Sequence, residues 1–276
     1  MSIDCRKDAP IGVFDSGVGG LTVVKEIMQN LPNENLVYFG DTARVPYGSK
    51  SVDTIIRFSK QIVRFLQTKK VKAIVIACNT VSALALAILR QETDIPIIGV
   101  VKPGSKVAAE VTENKRVGII GTEATVKSGV YTKFIQQYKP DIEVLAKACP
   151  LFVPLVEEGF VDNRIAREAI DYYLHEMKQS GIDTLILGCT HYPLLYNPIM
   201  AYMGEGIRLV NPAYETALEL KQLLEEKNLE NVSQEAGKVP TYEFYSSDAP
   251  VRFKTFANAV LPYSVDWIEH INIEEF

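Results

Sequence analysis

Two cysteines in this chain each end an apolar run and lead into small polar residues. Cys78 closes "AIVIAC" and is followed by Asn79 and Thr80; Cys189 closes "TLILGC" and is followed by Thr190 and His191. A free thiol has a pKa of about 8.5, so a modest push makes it a base near neutral pH. The positive end of a helix starting just after such a strand supplies a push of that kind. In open parallel sheets, ligands bind beyond the carboxyl ends of the strands. If the two strand ends face each other across a cleft, the thiols approach one ligand from opposite sides. That arrangement suits the inversion of a stereocentre: one thiolate removes a proton from one face and the opposed thiol delivers a proton to the other. Taken singly, a free cysteine is an ordinary small core residue, and Cys5 and Cys149 are read that way, Cys5 in a frayed N-terminus. The polar followers of Cys78 and Cys189 are costly to bury without partners. They read as donors aimed at an anion.

Three further clusters bear on the same chemistry. "FDSGVGGL" (14–21) is a glycine-rich turn after a strand, but it is not GxGxxG, and Asp15 would repel a pyrophosphate. Asp15 and Ser16 can instead hold an amine and a carboxylate, tune a thiol, or simply cap the following helix. "GDTARVPYGSKS" (40–51) is either a plain surface turn or a set of backbone N–H groups around a carboxylate. Pro46 has no N–H to contribute; Tyr47 and Gly48 do. "CPLFVPLVEEGF" (149–160) puts Glu157 and Glu158 after an apolar run. Such a pair is usually a solvated helix end, but one of them can serve as a proton partner for Cys189 and His191. His191 itself can donate to a substrate, help ionise the thiol, or be a satisfied residue at a helix start.

The elements that must position these residues alternate along the chain. "IGVFD", "NLVYFG", "KAIVIA", "PIIGVV", "KRVGIIG", "DIEVLAKA", "IDTLILG", "IRLV" and "TYEFYS" read as strands. Amphipathic or helix-like stretches stand between most of them, among them "SVDTIIRFSKQIVRFLQ", "VSALALAILRQET", "IAREAIDYYLHEMKQ", "AYETALELKQLLEE" and "APVRFKTFANAV". Buried strands alternating with helices predict a parallel, doubly wound α/β sheet. The pattern also restarts: "IGVFDSG" (11–17) aligns with "VGIIGTE" (117–123), and "AIVIACNT" with "TLILGCT", at nearly equal spacing. The fold class expected is therefore α/β, with two similar doubly wound halves in one chain; if they face each other across a pseudo-two-fold axis, a cleft lies between them. Residues 228–240 read as a polar surface loop.

Composition narrows the function classes. A net charge of −5 with no long basic run argues against a nucleic-acid partner. It leaves room for a small anionic substrate, which needs only local donors. No run approaches the roughly 18 apolar residues of a membrane span, and "MSIDCRKDAP" lacks the apolar core of a signal peptide. The expectation is a cytoplasmic protein with no membrane partner. Four cysteines in a chain this long do not make a disulfide framework in that compartment. Without a CxxC pair and with three histidines, no structural zinc site is expected.

At these residues the chain closely resembles the bacterial glutamate racemases, of the cofactor-independent aspartate/glutamate racemase superfamily. "IGVFDSGVGGLTV", "VYFGDTARVPYG", "ACNT", "GCTHYPLL" and "NPAYETA" carry the resemblance, and their spacing extends it over essentially the whole chain. The resemblance implies interconversion of L- and D-glutamate, supplying D-glutamate for peptidoglycan, with no pyridoxal phosphate, no other cofactor and no metal. Position by position it implies that Cys78 and Cys189 are the acid/base thiols, the first deprotonating the D-enantiomer and the second the L-enantiomer. Asp15, Ser16, Pro46, Tyr47, Gly48, Asn79, Thr80, Thr190 and His191 would contact glutamate, and Thr122 and Thr125 would line the same site. Asp15, Asp41, Glu157 and His191 match the auxiliary acidic and histidine positions; Gly129 and Tyr131 match nothing assignable. It also implies two α/β domains, 1–99 with 208–276 and 100–207, with the active site between them, and a homodimer. Three alternatives stay open at this level. One is a racemase for aspartate or a related α-acid. Another is a single-thiol cysteine hydrolase or transferase, which leaves the second cysteine unexplained. The last is a non-catalytic protein that retains an amino-acid site.

Overall fold

The computed structural model describes residues 7–231 and 239–276. Cys5 and residues 232–238 of the expected polar loop lie outside the described residues. The described residues hold ten strands: β1 (Ile11–Asp15), β2 (Leu36–Gly40), β3 (Ala73–Ile76), β4 (Ile97–Gly99), β5 (Arg116–Gly121), β6 (Glu143–Ala148), β7 (Thr184–Gly188), β8 (Arg208–Val210), β9 (Tyr242–Ser246) and β10 (Glu269–His270). They form two all-parallel sheets. One has the order β10-β9-β2-β1-β3-β4 and the other β6-β5-β7-β8. The expected α/β class with two parallel sheets is what the chain adopts. β8 pairs with β7, so residues 208–210 stay with the four-stranded sheet although a border at 208 would cut them from it.

The near-continuous apolar strands are explained by burial on both faces. In β1 to β3, Ile11, Val13, Leu36, Tyr38, Ala73 and Val75 join one core. Their neighbours Phe14, Val37, Phe39, Ile74 and Ile76 join another on the opposite face. The second sheet repeats this, with Leu185 and Leu187 facing one core and Ile186 with Val117 and Ile119 the other. Each such side chain withdrawn from water contributes roughly 1.5–3 kcal/mol.

Helix placement follows local chemistry. The helix Val52–Thr68 starts at Ser51, whose hydroxyl accepts from the Thr54 N–H, and it buries Ile55, Phe58, Ile62, Val63, Phe65 and Leu66. The stretch read as one helix after Cys78 is two, Asn79–Leu84 and Leu86–Leu89, because the backbone opens at Ala85 (φ −118°). Sequence reading left Val101–Val111, Val130–Tyr138 and Phe152–Glu157 unassigned. The first contains Pro103 and Gly104, which look like breakers. Pro103 sits in the first turn, where its missing N–H has no intrahelical partner to lose. Among the described residues no helix is long and apolar enough to cross a membrane.

Candidate active site

The carboxyl ends of β1, β2 and β3 deliver one half of the site. Asp15, the last residue of β1, is fully buried and turns back on the glycine-rich loop, where its Oδ2 accepts from the Gly17 N–H at 3.1 Å. It does not cap the next helix, Leu21–Asn30, whose N-cap position is Gly20 and which has no side-chain cap. Cys78 follows β3, and its Sγ lies 3.4 Å from Ser16 Oγ. Beyond β2, Asp41 is fully buried and its carboxylate gathers the loop that follows. It accepts from Tyr47 Oη, from Arg44 Nε at 2.7 Å and from Ser247 Oγ at 2.7 Å. Tyr47 is thereby a buried side chain, not part of a plain surface turn, and Gly48 is pressed against Thr122, just after β5. A Cβ there would meet Thr122 Cβ at 2.8 Å.

The second half comes from β5, β7 and the helix Phe152–Glu157. Cys189 follows β7, with its Sγ 3.8 Å from His191 Nδ1. The other ring nitrogen, Nε2, lies 3.0 Å from Glu157 Oε1, so thiol, imidazole and carboxylate stand in a row. Glu158 instead points outward to Arg252 at 2.6 Å. The halves touch through site residues. Thr190 Oγ1 donates to Asp15 Oδ1 at 3.5 Å, and its carbonyl accepts from Thr22 Oγ1 at 2.9 Å. Thr80, Thr122 and Thr125 share hydroxyl contacts of 3.0–3.3 Å. Tyr131 Oη donates to Asn79 Oδ1 at 2.6 Å. That leaves the Asn79 amide nitrogen without a hydrogen bond among the described residues.

The electrostatics of the halves differ. Burial, then the charge of Asp15, push the Cys78 thiol up to about 12, despite help from Ser16 and the Val81 N–H. The helix-end push expected to make this thiol a ready base is therefore outweighed by desolvation. A charge on Cys189 adds a smaller push in the same upward direction. Asp15 is raised by burial, against the pull of His191 and three backbone N–H groups. Burial works against a charged His191, but its hydrogen bonds to Cys189 and Glu157 and the charges of Cys189 and Asp15 lift it to about 10. Glu157 is lowered by its hydrogen bond to His191, in spite of partial burial. These shifts favour the imidazolium form of His191 and the protonated form of Cys78.

Asp15, Ser16, Asp41, Tyr47, Gly48, Cys78, Asn79, Thr80, Thr122, Thr125, Glu157, Cys189, Thr190 and His191 are linked by these contacts; Glu158 is not, and Pro46 is exposed. Sequence reading missed Tyr131, which orients Asn79, and Ser247, which completes Asp41. It also missed Phe256, whose ring lies 6.2 Å from that of His191. Ser247 and Phe256 arrive from the far end of the chain, and no local signal marks them. A cavity of about 790 Å³ opens beside this cluster and not at the thiols: Gly17 and Glu157 line it, Cys78 and Cys189 do not. Among the described residues no group of three His, Cys, Asp or Glu is placed to hold a metal.

Known proteins share this arrangement of elements. Residues 11–220 match the Asp/Glu/Hydantoin racemase family. A glutamate racemase of Geobacter metallireducens is 47% identical over 96% of this chain and 97% of its own length. The crystal structure of glutamate racemase from Francisella tularensis in complex with D-glutamate superposes with a TM-score of 0.90 at 40% identity, over 98% of this chain and 100% of that one. That of the Bacillus anthracis isoform RacE1 gives 0.92 at 37%, over 96% and 98%.

Proposed function

The chain belongs to the Asp/Glu/Hydantoin racemase family of isomerases, and we propose that it interconverts L- and D-glutamate by proton transfer between two cysteines. The observation that carries this is the placement of Cys78 and Cys189 at the ends of β3 and β7, in two sheets whose site residues touch. In the L-to-D direction, Cys189 as thiolate takes the Cα proton and the C–H electron pair stays on the substrate as a carbanion. The Cys78 thiol then protonates the opposite face, leaving Cys189 as thiol and Cys78 as thiolate. The reverse direction exchanges the roles. His191, held charged by Glu157, stabilises negative charge beside Cys189. In this reading Asn79, Thr80, Ser16 and the N–H groups of Tyr47 and Gly48 hold the carboxylates, and Asp15 and Thr190 receive the substrate ammonium. Glutamate as the substrate rests on the names of the relatives and on the D-glutamate in the Francisella structure. On the same resemblance we read the chain as a cytoplasmic homodimer whose D-glutamate enters peptidoglycan.

One observation favours a second reading. The row Cys189, His191, Glu157 also resembles the nucleophile, base and orienting group of a cysteine hydrolase. That reading gives Cys78 no role. The deciding experiment incubates the protein with L-glutamate in D2O, with chelator and without pyridoxal phosphate. Loss of optical rotation with one deuterium at Cα of the D-product is the expected result. Folded protein that neither exchanges nor racemises glutamate ends the assignment.

A further inference from the structure

The loop 41–49 must present Tyr47 and Gly48 at a fixed distance from Thr122, and nothing in its own backbone is regular before the short helical turn Tyr47–Ser49. Thr42 and Ala43 are tied to Asp248 and Ser247, and the Tyr47 end of the loop is tied through one buried carboxylate. Asp41 has no exposed surface, and three groups reach it: Tyr47 Oη, Ser247 Oγ and Arg44 Nε. Only Arg44 brings a positive charge, at 2.7 Å, and its side chain is 10% exposed. A carboxylate buried without its cation loses several kcal/mol. Arg44 is in turn held from outside the loop. Its Nη1 donates to Gln61 Oε1 at 2.6 Å, its guanidinium lies 4.0 Å over the Phe58 ring, and Glu274 Oε1 sits 3.3 Å away. Gln61 and Phe58 belong to the rigid helix Val52–Thr68. Glu274 follows Ile273, which is buried against the same core.

We propose that Arg44 is the positioning residue for this loop: it ties Asp41, and through Asp41 the Tyr47 hydroxyl, to the helix Val52–Thr68, and so sets the affinity for the substrate carboxylate. Arg44 does not act on the reacting atoms. Its consequence for catalysis rests on the glutamate racemase reading; its effect on the loop does not. Backbone N–H groups that grip a carboxylate hold substrate and transition state alike, so loosening them raises KM and spares kcat.

The test uses Arg44→Met and Arg44→Lys in the full chain. Hydrogen–deuterium exchange is read over residues 42–50, and kcat and KM are measured with both enantiomers. Arg44→Met is expected to speed exchange of that loop at least tenfold, leave exchange of β3 and β7 unchanged, and raise KM about tenfold or more with kcat within threefold. Arg44→Lys keeps a cation for Asp41 but loses the fork to Gln61, and it is expected to restore part of both effects. Loop exchange like that of the unaltered chain in both variants overturns the proposal. So does a fall in kcat with KM unchanged. Where Arg44→Met does not fold, the same readings on Arg44→Lys decide, with an intermediate KM expected and an unaltered one overturning. If the unaltered chain does not racemise glutamate, the functional reading fails, and the exchange measurement still tests the role of Arg44.

Discussion

At the scale of single residues, the two-thiol reading makes a demand that the hydrolase reading does not. Each cysteine is the acid in one direction and the base in the other. Cys78→Ser and Cys189→Ser should each lower racemisation by at least a thousandfold in both directions with little change in Tm. Enantiomers have equal free energy in water, so kcat/KM must fall by the same factor from either side. Near-normal turnover by either variant removes the mechanism. His191 carries a second expectation. Its folded-state pKa of about 10 lies above the ordinary histidine value of about 6.5. The stability its charge contributes is therefore full below pH ~6.5 and is lost as pH rises through about 10. Glu157, lowered by the same contact, contributes fully above the ordinary glutamate value and loses that contribution as pH falls through its depressed value. Scanning Tm against pH for the unaltered chain and His191→Asn should show the widest gap near pH 5 to 6.5, closing by pH 10 to 11. A gap that is constant across that range would mean that the His191–Glu157 contact is not an ion pair.

At the scale of elements, the site depends on how closely two turns approach. Gly19, in the turn after β1, faces Thr190 and His191; a Cβ built on it would sit 2.5 Å from His191 Nδ1. Both neighbours belong to the turn after β7, so neither yields without moving the site. Gly19→Ala is expected to cost about 1–3 kcal/mol as an overpacked contact and to reduce kcat/KM by tenfold or more. Urea unfolding and steady-state kinetics check the two parts. Retention of both values would show that the turns separate freely. Strands and most helices were legible in the sequence because burial on both faces makes strands uniformly apolar. Val101–Val111 was not, because Pro103 and Gly104 mask a helix whose first turn tolerates them. The break at Ala85 was also hidden, since every residue of "ALALAIL" suits a continuous helix.

At the scale of the whole molecule, the site belongs to neither sheet alone. The contacts Thr190–Asp15, Thr22–Thr190, Thr80–Thr122 and Tyr131–Asn79 all join the six-stranded sheet's half to the other. A ligand that bridges them binds only the folded, assembled pair. In a Cys78→Ser, Cys189→Ser double variant, which cannot turn over, glutamate at about a hundred times its Kd adds about 2.7 kcal/mol. For a chain of this size that corresponds to a rise in Tm of roughly 5–10 °C. The absence of any shift at tens of millimolar glutamate would place the ligand elsewhere.

The sequence by itself determined the class of the fold and the pair of thiols, since apolar runs closed by Cys78 and Cys189 are local patterns readable one strand at a time. It also marked Asp15, the 46–48 loop, the threonines and His191, because polar residues after a buried strand need partners. Only the tertiary structure decided what those partners are. Burial and Asp15 hold Cys78 protonated, where the helix end alone would have favoured its ionisation. Glu157, and not Glu158, reaches His191, because the helix Phe152–Glu157 ends with one carboxylate turned inward. Ser247 and Phe256 enter the site only when β9 pairs with β2 and the helix Pro250–Val260 follows it, so their roles depend on long-range pairing that no local stretch encodes.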